Sequence, residues 1–210
     1  MDYYADFTRG KWNREDFVHA GLCAVTHRKE FEQLDDRIVN GFAPPGYMPD
    51  TDKITEGSGE IVGMDRVDYA FTFYMLNRPF TGGVTVKSAF AFDSFGAPTF
   101  TYGAKAVEEN GLWVADTHIE VTVWEEGINY WHAELLGDKH RITLIKHDKF
   151  EVSGGRHYAE ITFGKDGIAL VLDGRPSGLE SPLHDEGYVG FIGCEGMNAF
   201  YSLSAGYADK

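Results

Sequence analysis

The chain is short of cysteine, of positive charge and of long apolar runs, and each shortage excludes something. Two cysteines in 210 residues, Cys23 and Cys194, form no metal-ligand spacing; free buried thiols are the expected reading, with a Cys23–Cys194 pair as the alternative. No charged-then-apolar leader opens the sequence and no apolar run is long enough to span a bilayer, so the expected location is the cytoplasm, with no membrane partner. Only 19 Lys and Arg stand against 33 Asp and Glu, a formal net charge of -14. Phosphate binding needs clustered cations, so nucleic acid is not an expected partner, and an anionic membrane surface is disfavoured on the same ground. There is no nucleophile elbow, phosphate loop or dinucleotide fingerprint. No cofactor is expected either: Asp35, Asp36 and Asn40 are chemically suited to calcium, but their spacing matches no calcium motif.

What is abundant is glycine, 25 residues, and aromatic side chains, 14% of the chain. Together they favour an all-β fold with tight turns and ring-lined surfaces. Strand patterns run through Tyr69–Leu76, Val84–Asp93, Thr99–Tyr102, Tyr130–Leu135, Arg141–His147, His157–Phe163, Gly167–Leu172, Tyr188–Cys194 and Asn198–Ala205. An opening edge strand is expected near Asp6–Trp12, a short helix or polar strand over 27–36, and a long irregular loop over 43–60, where Pro44, Pro45, Gly46 and Pro49 cluster. The length suits one domain, 1–210, built as a two-sheet antiparallel β-sandwich.

Thr117–Glu134 carries most of the chemistry. With a period of two, His118, Glu120, Thr122 and Trp124 share one face of a strand, and Ile119, Val121 and Val123 take the other. That gives a core side and a working side. Glu120 is a candidate general acid or base, and His118 is its candidate partner at roughly 7 Å along the strand. Trp124, Trp131 and Tyr130 are candidate platforms for a sugar ring, and alternation puts Tyr130 and Trp131 on opposite sides, so that at most one of those two faces the same groove. His132 and Glu134 share a face with Tyr130; which face that is depends on the strand register of 129–135, which the sequence leaves open.

The second half of the chain resembles the jelly rolls of the concanavalin A-like lectin/glucanase superfamily. Lys165–Arg175 resembles their late strand with its Asp-Gly turn, and Tyr188–Gly196 followed by Phe200–Leu203 resembles their closing strand pair. Asp6, Phe7 and Trp12 fit an opening strand that pairs beside the last. The resemblance implies two curved sheets with a carbohydrate site on the concave face of one. It covers lectins, binding modules, glycoside hydrolases and polysaccharide lyases. Hydrolase members carry Glu-x-Asp-x-Glu on one strand; here the alternation reads His118-x-Glu120-x-Thr122, acidic only in the middle. Lyase members use a His and Tyr pair, for which His118, Tyr130 and His132 are the right types.

The expected function is therefore carbohydrate binding in a concave groove, with cleavage of a glycosidic bond by Glu120 and His118. The alternative is a lectin-like binder without catalysis. Asp93 and Glu195 are the candidate second acids and groove contacts, to be placed about 5 Å from Glu120 for a retaining hydrolase or about 6.5–9.5 Å for an inverting one.

Overall fold

A computed structural model of the chain describes residues 3–7, 12–21, 32–33, 38–40, 60–62, 72–92, 96–103, 105–109, 112–136, 139–183, 185–194 and 198–208. In chain order the first strands are β1 (Tyr3–Asp6), β2 (Phe17–Gly21), β3 (Glu32–Gln33), β4 (Ile38–Asn40), β5 (Glu60–Val62) and β6 (Thr72–Thr81). Then come β7 (Val84–Phe92), β8 (Ala97–Tyr102), β9 (Ala106–Glu109), β10 (Leu112–Ala115), β11 (His118–Trp124) and β12 (Gly127–Leu136). The last are β13 (Lys139–Lys149), β14 (Gly155–Gly164), β15 (Gly167–Leu172), β16 (Arg175–Glu180), β17 (Glu186–Cys194) and β18 (Asn198–Tyr207).

The strands form two sheets. The smaller runs β16-β15-β14-β7-β18-β4-β3, with β1 also on β18; the larger runs β5-β13-β12-β11-β8-β17-β6-β2-β10-β9. Among the described strands, pairing is antiparallel except for one parallel contact of β10 with β2. Aromatic rings fill the space between the sheets. Phe90 meets Phe100 at 5.5 Å, Phe191 meets Phe200 at 4.7 Å, and Tyr102 stacks on Phe163 at 5.2 Å, each pair with one ring from either sheet. Fully burying one such ring is worth about 1.5–3 kcal/mol.

Burial along the strands separates two situations. β14 and β15 alternate buried and exposed residues, as strands with one wet face must. β8 is buried at every position and β11 at all but the last. The central strands of the larger sheet are thus enclosed on both sides, and the second enclosed face is the one that carries Glu120.

The expected architecture, an all-β two-sheet sandwich, is what is found. The opening strand is Tyr3–Asp6 rather than Asp6–Trp12, and it pairs with the closing β18. Within 27–36, Glu32–Gln33 forms β3 against β4; the remainder, and all of 43–59, lies outside the described residues. β16 escapes a sequence reading because Pro176 and Gly178 look like turn residues. It is an edge strand, where proline is tolerated. Its Gly178 has no room for a side chain, since a Cβ would stand 2.4 Å from the Ile168 carbonyl oxygen.

A polar chain ties the two sheets together at one flank. Ser177 of β16 donates to the Asp148 carboxylate of β13, so the Tyr130 hydroxyl of β12, 2.6 Å away, donates to Ser177. Lys146 lies 3.0 Å from the same carboxylate and donates to the Gly178 carbonyl at 2.6 Å. Burial pushes the Tyr130 phenol up to about 12. Burial also works to raise Asp148, but the bonds from Ser177 and Lys146, together with the ammonium charge, outweigh it and hold this carboxyl below the usual range. A depressed folded-state value means that the stabilisation is present above the unfolded value of about 3.9 and disappears as pH falls below it. Asp148→Asn is expected to cost about 1–2 kcal/mol at pH 7. Urea unfolding across pH should show the variant and wild type converging below about pH 4; a gap that persists in acid would show that the loss is not electrostatic.

Candidate functional site

β11 sits between β8 and β12 near the middle of the larger sheet. Ile119, Val121 and Val123 enter the core between the sheets. His118, Glu120, Thr122 and Trp124 occupy the opposite face, as the alternation predicts. Register places their neighbours. Glu120 lies between Thr101 of β8 and Trp131 of β12, and the same row continues through Gly190 and Met75 on one side and Leu144 on the other. Thr122 lies between Thr99 and Asn129, with His147 beyond. Trp124 pairs with Gly127, the first residue after the Glu125-Glu126 turn.

This face is closed rather than open: Glu120 is 5% exposed, Trp131 9% and His118 0%. Its polar atoms are largely matched. Thr99 donates to Thr122 at 2.9 Å, and His147 Nδ1 donates to Asn129 Oδ1 at 2.6 Å, with the imidazole 6.0 Å from the Trp124 ring. Among the described residues of the face, two buried polar atoms, Thr101 Oγ1 and Trp124 Nε1, have no hydrogen-bond partner.

His118 and Glu120 are in direct contact, Nε2 to Oε1 at 2.9 Å, where strand spacing suggests about 7 Å. Side chains lean along a strand, and these two lean toward each other. The other ring nitrogen, Nδ1, faces the Asp116 carbonyl, which can only accept. Nδ1 therefore carries a hydrogen. For Nε2 to bond the carboxylate, one further proton must lie between them, on the imidazole or on the acid. The two side chains therefore share one proton across this contact.

The structure separates the remaining nominated residues. Tyr130 and His132 do not join Glu120. Tyr130 pairs with Val121 and His132 with Ile119, so both fall on the opposite side of the sheet, and the Tyr130 hydroxyl is committed to Ser177. The reason is parity: Glu120 pairs with Trp131, which brings the odd-numbered residues of β12 to its face. Trp131 is thus the ring beside Glu120, a placement that requires the cross-strand register. Thr101 also escapes a sequence reading, although Thr99-Phe100-Thr101-Tyr102 alternates cleanly. Asp93 follows the last residue of β7 and Glu195 the last of β17, and both lie outside the described residues, as do Cys23, Asp35 and Asp36. Among the described residues no group of three or more His, Cys, Asp or Glu is placed to hold a metal ion.

No protein-family model matches the chain, and no curated protein matches it. Solved structures do. A protein of unknown function with a galectin-like fold from Bacillus subtilis superposes with a TM-score of 0.60 at 10% identity, over 100% of this chain and 96% of that one. A beta-1,3-glucanase from Mycobacterium marinum gives 0.51 at 9% identity, over 98% of each chain. The carbohydrate-binding module CBM66 from Bacillus subtilis gives 0.50 at 13%, over 64% of this chain and 81% of that one. The fold is a two-sheet jelly-roll β-sandwich. At these identities the likeness fixes the jelly-roll architecture and transfers no residue roles, so the site rests on its own geometry. In this jelly roll the strand position two beyond Glu120 is a threonine bonded to another threonine, where the hydrolase alternation would place an acid.

Proposed function

We propose that this protein binds carbohydrate on the Glu120 face of its larger sheet, the ligand taking the place of what now closes that face. The observation that carries the reading is the buried His118–Glu120 pair, set in mid-sheet beside Trp131 and opposite Thr101. A carboxylate, an imidazole, a hydroxyl and a large ring converging on one face are the groups that bind a polyhydroxylated ring with an apolar side. Neighbours that share the jelly roll include a carbohydrate-binding module and a beta-1,3-glucanase, which supports the substrate class.

Glycosidic cleavage is the second reading, and the proton held between His118 and Glu120 is what favours it, since an acid catalyst needs a proton to deliver. Against it stands Thr122 in the place of a second acid. The two separate in one experiment. Purified protein is incubated with a panel of neutral and acidic oligosaccharides, and new reducing ends, absorbance near 235 nm and binding heat are followed. Binding without turnover, weakened about tenfold in Glu120→Gln, is the expected result. Turnover that drops by a hundredfold or more in Glu120→Gln, with binding retained, would establish a hydrolase or a lyase instead. Unchanged binding in that variant would remove Glu120 from the site.

A further inference from the structure

Of the described polar side chains on the Glu120 face, His118, Glu120, Thr99, Thr122, Asn129 and His147 have partners. Thr101 Oγ1 and Trp124 Nε1 have none, and both atoms are shut off from solvent. Buried polar atoms are nearly always paired, and an orphan is costly enough to require a reason. Packing gives none at position 101, because valine has the same shape without the hydroxyl. Thr101 is 0% exposed and pairs with Gly190, where a Cβ would stand 2.6 Å from Oγ1 and 2.9 Å from Met75 Cγ.

We propose that Thr101 and Trp124 are ligand-anchoring residues of this face, and that they hold an uncharged polyhydroxylated ring; the inference rests on the carbohydrate reading above. An indole N–H only donates, so the ligand must offer it an acceptor. The Thr101 hydroxyl, directly across from Glu120, both donates and accepts. Sugar hydroxyls do both, and one chain of such groups can serve the carboxylate, the threonine and the indole. Charge also matters. At the register positions of the His118, Glu120 and Thr122 rows, the described residues include no Lys or Arg, so no permanent cation there would meet a carboxylated sugar. The nearest described cation on this face by register is Lys149, opposite Gly127 in the Trp124 row. In this arrangement Trp124 acts through its N–H, and Trp131 is the ring beside the acid.

The test uses the whole chain and four probes: laminaritetraose, cellotetraose, mannotetraose and tetragalacturonate. Each is titrated calorimetrically against wild type, Thr101→Val, Thr101→Ser and Trp124→Phe, and thermal unfolding of each protein is recorded without ligand. At least one neutral tetraose is expected to bind wild type. Thr101→Val should bind it tenfold or more weakly while unfolding at the same or a higher temperature, since an unpaired hydroxyl has been removed. Thr101→Ser should recover binding, and Trp124→Phe should lose about fivefold. A Thr101→Val protein that binds the tetraose like wild type would show that the hydroxyl serves only a buried water, and would overturn this inference while leaving the carbohydrate reading intact. Tighter binding of tetragalacturonate than of every neutral probe would overturn the uncharged-ligand inference. No binding of any of the four by wild type would overturn the carbohydrate reading and this inference with it.

Discussion

Replacing His118 with leucine is expected to lower stability by about 3–5 kcal/mol, read from urea unfolding at neutral pH. The imidazole is fully buried and the Glu120 side chain is 7% exposed, so the variant leaves a carboxylate inside the sheet without the nitrogen that faces it at 2.9 Å. Removing one partner of a buried pair exposes the desolvation cost of the other. Replacing both partners with apolar side chains removes that cost altogether. His118→Leu/Glu120→Leu should therefore regain most of the loss, and a double-mutant cycle should return a strong coupling between the two positions. If His118→Leu costs less than about 1 kcal/mol, the two side chains do not depend on each other, and the buried pair is not a stabilising unit.

Gly127→Ala is the second large effect. Gly127 has φ +132°, and a Cβ there would stand 2.0 Å from the Asp148 carbonyl oxygen and 3.0 Å from the Phe150 nitrogen. Both obstacles are backbone, so neither can turn aside as a side-chain end would. A loss of about 3 kcal/mol or more is expected, combining an unfavourable dihedral with a clash. The control is Gly154→Ala, where a Cβ would meet nothing within 4 Å. That variant should stay within about 0.5 kcal/mol of wild type. Gly127 also closes the β11–β12 turn and pairs with Trp124. The alanine variant should consequently weaken ligand binding along with stability, whereas equal stability of the two glycine variants would show that the turn tolerates a side chain.

Much of the fold is legible because hydrophobic alternation is local. Val84–Phe92 is readable from Val86, Ser88, Phe90 and Phe92 alone, and these residues are buried as the pattern requires. The strand 118–124 is readable in the same way, down to which side chains share the Glu120 face. What depends on another strand is not legible. Nothing in Gly127–Leu136 says whether Tyr130 or Trp131 stands beside Glu120, because a shift of one residue exchanges the faces. Thr101 becomes a site residue only through its pairing with Glu120 on a different strand, which no chain-local pattern encodes. The His118–Glu120 contact depends on side-chain lean, which strand spacing does not specify. β16 is obscured by its own composition, since the Pro176 and Gly178 that suit an edge are also the residues of a turn.

The strand β18 has a particular role in how the molecule comes to be built. It pairs with β7, with β4 and with β1, whose Tyr3 lies opposite Ala205. On a ribosome β1 therefore waits for Ser202–Ala205 to be made before its partner exists. The smaller sheet cannot close gradually behind the growing chain. Domains dominated by such distant pairings fold in milliseconds to seconds, and slower still when the partner has yet to be synthesised. Until β18 arrives, one hydrogen-bonding edge of β7 is left unpaired, and the half-made protein is at its most exposed to wrong partners.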